Sequence, residues 1–395
     1  MIYRKFKGRA LFTGSQLFES GEVLVTDEAG TVIEIVGAET VSDAEALDGI
    51  ICPGFVNAHC HLELSWMKGI VPKLSGMIDF LLAVMKAQPA EEMALNAAIE
   101  EAENEMLQNG IIAVGDVCNT ALTLPQKLKG NIYYHNFIEA MGFVEAAADE
   151  RFNRAVKVFN EFAQHYPIPL ACNSVVPHSP YSVSKSLFDK IIRFSGNHLL
   201  TIHNQEHAAE NEFFMSGTGE FHRLYKAIGI DSSFHKGTGL SSVQHFLPWF
   251  RRNQSLILVH NTQTSAEDLR FIDEMAVRGI TTWLCLCANA NLYINASLPD
   301  INAISGYNDR VVIGTDSLAS NEALSMVSEI NTIHKHFPSI SISRLLQWAT
   351  LNGARALEID NEAGSFEAGK QPGIVLITGV DEAGNWDKAK SFRML

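Results

Sequence analysis

Short apolar runs rich in β-branched residues alternate with longer stretches of helical periodicity from about residue 51 to residue 365. The runs are Ile51–His59, Ile111–Val117, Ile132–Ile138, Pro169–Val176, Leu199–His203, Leu256–His260, Ile280–Leu286 and Val311–Asp316. Between the first two, Met93 to Gln108 carries apolar residues at helical spacing, and Asn109-Gly110 supplies a helix stop. Repeated strand-helix alternation predicts an α/β chain built as a (β/α)8, TIM-like barrel, because parallel strands need crossover helices to cover them. A doubly wound sheet is the alternative.

The flanks read differently. Gly21–Thr26 and Gly30–Val36 are short strands joined over Asp27–Gly30, and Gly364–Lys370 leads into a further strand, Ile374–Ile377. The two termini are expected to pair in a small β-sandwich: residues 1–50 as its N-terminal part, 51–365 as the barrel and 366–395 as its C-terminal part. No repeat of solenoid period and no low-complexity stretch interrupts this plan.

At 395 residues with 47% hydrophobic content, the chain is far too apolar for disorder and long enough for one large domain with an appendage. Its 30 basic and 45 acidic residues leave a net charge of −15, which opposes binding to phosphate backbones or anionic lipid. Nucleic acid and membranes are therefore not expected as partners. No run approaches the roughly 20 apolar residues of a membrane span, and Ala10–Gly14 is too short for a signal-peptide core, so a cytoplasmic location is expected. The six cysteines (Cys52, Cys60, Cys118, Cys172, Cys285 and Cys287) lie scattered in apolar surroundings and show no Cys-x-x-Cys. Reduced, buried thiols suit that pattern better than disulfides.

The candidate chemistry sits at strand ends. His59 and His61 close the first barrel run, where side chains two apart share a face and both imidazoles reach one metal ion. A second such pair, His334 and His336, falls at the end of a helical stretch, where side chains two apart diverge, so it reads as solvated surface. Three further runs end in His203, His260 and Asp316. In a barrel these ends meet at the C-terminal rim, where barrel enzymes keep their sites. Imidazoles with a carboxylate suit Zn²⁺ or Fe²⁺ with a position open for water, whereas Mg²⁺ or Ca²⁺ calls for more oxygen ligands. Such an ion makes hydroxide near neutral pH. Glu206, three residues beyond His203, is a candidate proton carrier; the alternative is a helix-start glutamate in an acidic run with Glu210 and Glu212. Glu63 and Trp66, just past the His pair, are candidates to line the pocket.

Together Pro53-Gly-Phe-Val-Asn-Ala-His59-Cys-His61-Leu62, His203-x-x-Glu206, Val259-His260-Asn261 and Gly314-Thr-Asp316-Ser317 resemble the amidohydrolase superfamily. The likeness covers nearly the whole chain and is greatest to its cytosine-deaminase-like and chlorohydrolase-like branch, to which Gly364-Ser365-x-x-x-Gly369-Lys370 and Trp348–Leu357 also correspond. The resemblance implies one divalent metal, Zn²⁺ ahead of Fe²⁺, held by His59, His61, His203 and Asp316, with His260 holding the water. Pro169–Val176 offers no Lys for the carbamate bridge of binuclear relatives. In deaminating members hydroxide attacks an amidine-like ring carbon, Glu206 protonates the ring nitrogen, and Asp316 with His260 takes the water proton. His178, in Pro177-His-Ser-Pro-Tyr-Ser182, matches a turn whose histidine contacts substrate in nucleoside-type deaminases.

Three departures stand out. Asp79, followed by Phe80, sits where ribose-binding relatives have Glu followed by Trp; it is a candidate hydroxyl acceptor, and the alternative is an Asp on a helix surface. Cys287-Ala-Asn-Ala-Asn291 replaces Cys-Pro-x-Ser-Asn, keeping Asn291 as a loop-fixing residue on the substrate side. Gly373 stands where the family's closing strand carries Asp. The reading that follows is a metal-dependent aminohydrolase of an amino-purine, an adenine-nucleoside-like compound or a pyrimidine. Hydrolysis of a ring C–Cl bond or of an amide is the enzymatic alternative, and a non-catalytic binding barrel is the other class. A small-molecule substrate is the expected partner, with a homodimer as the expected assembly. Residues 213–246, glycine-punctuated, are either a mobile cover or an ordinary helix with loops.

Overall fold

The computed structural model describes residues 2–89, 91–165, 172–381 and 386–395. The chain begins with strands β1 (Tyr3–Lys7), β2 (Ala10–Phe12), β3 (Leu17–Phe18), β4 (Glu22–Asp27), β5 (Val32–Gly37), β6 (Glu45–Ala46) and β7 (Ile50–Pro53). β4 and β5 form the antiparallel hairpin expected from their spacing. Its turn is closed by Asp27 Oδ1, which accepts the Ala29 and Thr31 N–H groups at 2.9 and 2.8 Å.

Eight parallel strands follow: β8 (Phe55–Cys60), β9 (Ile111–Cys118), β10 (Tyr133–Ala140), β11 (Asn173–Pro177), β12 (Leu200–Asn204), β13 (Ser255–His260), β14 (Thr281–Leu286) and β15 (Val311–Ile313). They pair in sequence order as two four-stranded sheets, β8 to β11 and β12 to β15. Both seams close at the C-terminal rim: the His203 N–H donates to His178 O at 2.9 Å, and the Thr315 and Asp316 N–H groups donate to His59 O at 3.0 and 3.1 Å. The result is the (β/α)8 barrel, with strands buried on both sides as parallel sheets require. Between β8 and β9 the helix Glu92–Gln108 ends at Asn109, and Gly110 takes φ 82°, as the expected stop demands.

After the barrel, β16 (Ile374–Thr378) lies antiparallel to β7, with Leu376 opposite Ile51, and β17 (Lys390–Arg393) extends the edge. One terminal sheet runs β5-β4-β1-β6 and the other β17-β16-β7-β2-β3. Phe6, Leu11, Leu24, Val32, Ile51, Phe366 and Ile374 pack together as a small core of their own.

Two strands differ from expectation. The run Ile51–His59 is split at Gly54, whose N–H donates to Pro372 O at 2.9 Å; the first half pairs in the terminal sheet and only Phe55 onward joins the barrel. The run Val311–Asp316 ends as a strand at Ile313, because the following N–H groups turn to His59 O and Asp316 adopts φ 56°. Residues 169–171 of the run Pro169–Val176 fall outside the described residues, and the strand begins at Asn173. Residues 213–246 carry helices, including Phe221–Ala227 and Ser242–Phe246. Phe213, Phe214, Phe221, Leu224 and Tyr225 are buried against Met77 and Ile78 of the helix Met77–Lys86.

Candidate active site

The barrel rim gathers the strand-end side chains. His59 is fully buried, and among the described residues neither of its ring nitrogens has a hydrogen-bond partner. His61 Nδ1 is likewise unpartnered, and its Nε2 lies 3.2 Å from His203 Nε2. His203 Nδ1 contacts the His178 carbonyl oxygen at 2.8 Å; a carbonyl only accepts, so Nδ1 carries the proton and Nε2 keeps its lone pair. Asp316 Oδ1 lies 3.5 Å from His59 Nε2 and 3.7 Å from His61 Nε2, while Ser320 Oγ donates to Oδ2 at 2.5 Å.

These spacings have a simple reading. A tetrahedron with arms of about 2.1 Å has edges of about 3.4 Å, so the donor atoms are placed as metal ligands would be. Buried imidazole nitrogens without partners cost free energy unless something takes their lone pairs. Three imidazoles and one carboxylate fit a divalent cation of the Zn²⁺ or Fe²⁺ kind. Burial pushes His61 down to about 3 and His203 well below the usual histidine range, so both rings are neutral and able to ligate. Burial opposes ionisation of Asp316, but contact with His59 and the neighbouring His61 and His260 imidazoles outweighs it and holds the carboxyl well below the usual carboxylate range.

Beside this cluster, His260 Nδ1 is hydrogen-bonded to Asn291 Oδ1 at 2.9 Å, which leaves Nε2 facing Glu206 Oε1 at 3.7 Å. Burial holds His260 down to about 4. Burial, reinforced by the Asp316 and Glu210 carboxylates, pushes the Glu206 carboxyl well above its ordinary range and so favours its protonated form. The non-glycine residues Gln205, His260, Asn261 and Asp316 all take positive φ, at 47°, 76°, 56° and 56°. Such conformations are uncommon and persist where surrounding bonds over-determine them. Here Asn261 Nδ2 donates to Leu258 O at 2.8 Å and to Cys285 O at 3.1 Å, pinning the turn that aims His260.

A pocket of about 600 Å³ opens onto the cluster and is lined by His61, Glu63, His178, His203, Glu206, His260 and Asp316. His178 Nδ1 is engaged by the Ser179 and Ser182 hydroxyls at 2.9 and 2.7 Å, leaving Nε2 toward the pocket. Glu63 lines it too, although three donors occupy its oxygens: Asn119 N at 2.8 Å, Thr120 N at 3.1 Å and Thr120 Oγ1 at 3.0 Å.

Three expected substrate contacts are placed elsewhere. Asp79 points to solvent and pairs with Arg223 at 2.6 Å, because its position on the helix Met77–Lys86 faces away from the inward side carrying Met77, Phe80, Leu81 and Val84. Trp66 packs beside Met67, Val71 and Phe80 in a satellite cluster outside the pocket lining. Asn291 is buried behind His260 and reaches the site only through it. Missed by the sequence reading were Glu139, at the end of β10, and Asn119, just beyond the end of β9. The signal for Glu139 was present, since it lies one residue past the run Ile132–Ile138 and so at the same rim as the histidines.

Residues 50–392 match the model of the amidohydrolase family. The chain is 25% identical over 353 residues to a 5-methylthioadenosine/S-adenosylhomocysteine deaminase of Teredinibacter turnerae, covering 86% of this chain and 74% of the relative. Among solved structures it resembles the Helicobacter pylori aminofutalosine deaminase in complex with methylthio-coformycin, with a TM-score of 0.79 at 20% identity and coverage of 96% and 93%. It also resembles an atrazine chlorohydrolase of Arthrobacter aurescens complexed with zinc, with a TM-score of 0.73 at 17% identity and coverage of 96% and 90%.

Proposed function

The chain belongs to the amidohydrolase family, and from that premise we propose that it is an aminohydrolase that releases ammonia from an amino-substituted nitrogen heterocycle of the adenine-nucleoside type. The observation that carries this reading is Glu206: a buried carboxyl facing the pocket, 3.7 Å from His260 and beside the ligand cluster, in surroundings that favour its protonated form. A binder has no use for an acid there, whereas loss of a ring amino group requires a proton at the ring nitrogen.

His59, His61, His203 and Asp316 would hold a divalent metal, for which we infer Zn²⁺. When bound, it supplies Lewis acidity and lowers the pKa of water to near neutrality. The protein's own groups do the rest. Glu206 gives its proton to the ring nitrogen as water adds to the neighbouring carbon, which stabilises the charge that develops there. His260 Nε2, neutral and with its lone pair free because Nδ1 is committed to Asn291, accepts the proton of the adding water together with Asp316 and passes it to the exocyclic amino group. The C–N bond then breaks, ammonia leaves, and Glu206 regains a proton from the added hydroxyl as the ring carbonyl forms. His178 presents Nε2 to the substrate, and the apolar wall of Met77, Phe80, Leu81 and Val84 excludes water from one side of the ring. All six cysteines are free and buried, which supports a reducing, cytoplasmic setting. The family resemblance also supports a homodimer as the acting unit.

The test is the Glu206→Gln protein, assayed for ammonia release against amino-purines, nucleosides and pyrimidines. A fall of about 100-fold or more with metal content unchanged is expected. Ammonia release at the wild-type rate would refute the proton path, and chloride or carboxylate release in place of ammonia would move the assignment to another hydrolysis.

A further inference from the structure

Glu139 is a pocket carboxylate that the reaction just described does not use. It stands at the end of β10, 7% exposed, where the pocket meets the His178 side of the metal cluster. Its Oε2 accepts Asn119 Nδ2–H at 3.0 Å. Among the described residues no hydrogen bond reaches its Oε1; His203 Nδ1 lies 3.8 Å away and His178 Nε2 4.0 Å away. Although Glu139, His178 and His203 stand close enough together to suggest a second cation site, they do not make one. His203 Nδ1 faces the His178 carbonyl at 2.8 Å and so carries a proton, not a lone pair.

Resting on the aminohydrolase reading, we propose that Glu139, paired with His178, is the specificity-determining acceptor for a sugar hydroxyl of the substrate, so that the enzyme takes nucleosides in preference to free bases. Elimination leads there. Glu206 and Asp316 belong to the chemistry, both oxygens of Glu63 are already engaged by Asn119 and Thr120, and Asp79 faces solvent against Arg223. Among the described residues that line the pocket, Glu139 is the remaining carboxylate with an oxygen that accepts no hydrogen bond, and carboxylates are a common acceptor for ribose hydroxyls. The Asn119 amide occupies Oε2, so any proton on Glu139 sits on Oε1. A hydroxyl both donates and accepts, and therefore satisfies Oε1 in either state. His178 Nε2, 4.0 Å away, completes a two-point edge that spans neighbouring polar atoms of one ligand.

The experiment compares adenosine with 2′,3′-dideoxyadenosine and adenine as substrates of the metal-loaded wild-type, Glu139→Ala and Glu139→Gln proteins. The wild type is expected to favour adenosine over its dideoxy analogue in kcat/KM by roughly 5- to 100-fold, the range for leaving a buried polar group unpaired. In Glu139→Ala this ratio collapses toward one, mainly through KM, and Glu139→Gln restores part of it. Equal loss on both nucleosides would show a structural role and overturn the proposal. Turnover of adenine but not of adenosine would overturn it while leaving the aminohydrolase reading intact, and ammonia from none of the three would refute both.

Discussion

The His260 imidazole is aimed from behind. Asn291 Oδ1 holds its Nδ1 at 2.9 Å, and the positive φ of 76° at His260 turns Nε2 toward Glu206. Outer hydrogen bonds of this kind fix ring orientation and tautomer, and their loss costs about 10- to 100-fold in activity. Asn291→Ala is therefore expected to lower kcat by that factor while elemental analysis still finds the wild-type metal content, and Asn291→Asp, which keeps the acceptor, should recover most of the rate. Metal loss that parallels the rate loss would contradict a positioning role. The histidines and Glu206 were legible in the sequence because each ends or follows a strand, and strand ends converge in a barrel. Asp79 and Trp66 were misplaced because the side a short helix or turn presents to the pocket depends on its packing against Phe80 and Met67, which no local pattern reveals.

Among the elements, the seam between β15 and β8 is the most demanding. A Cβ on Gly314 would lie 2.8 Å from His59 Cβ, 2.9 Å from His59 N and 2.9 Å from His59 O. Only glycine lets the two strands approach closely enough for the Thr315 and Asp316 N–H groups to share His59 O. Gly314→Ala should thus move two of the proposed metal ligands together, His59 and Asp316. A destabilisation of about 1–3 kcal/mol is expected from overpacking against backbone, seen as a lower melting temperature, with metal occupancy falling in step. An unchanged occupancy would show that the seam tolerates the methyl group. The strand itself was legible as an apolar run, but its end was not, since the contact that stops it comes from His59, on the first strand of the barrel.

At the scale of the whole molecule, the proposed ligands come from β8, β12 and the turns after β8 and β15, in both halves of the barrel. A cation that binds the folded chain and not the unfolded one stabilises it by about 4 kcal/mol when free metal exceeds Kd by 1,000-fold. Exhaustive chelation should accordingly lower the melting temperature by several degrees and abolish ammonia release, and one equivalent of Zn²⁺ should restore both. Identical melting curves with and without metal would show that the imidazole cluster is satisfied without it. The terminal sheets show the same dependence on distant parts. β7 and β16 pair across some 320 residues, and the small core of Phe6, Ile51, Phe366 and Ile374 exists only once they do.

Read alone, the sequence determines the alternation of strands and helices and the identity of the rim residues, because hydrophobic period, turn chemistry and residue type act locally. Only the tertiary structure decides that Gly54 parts the first run between two sheets, that Asp79 turns outward to Arg223, and that Glu139 keeps an oxygen free beside His178. Those outcomes depend on which distant backbone or side chain reaches a polar atom first, and proximity of that kind comes into being when the barrel closes.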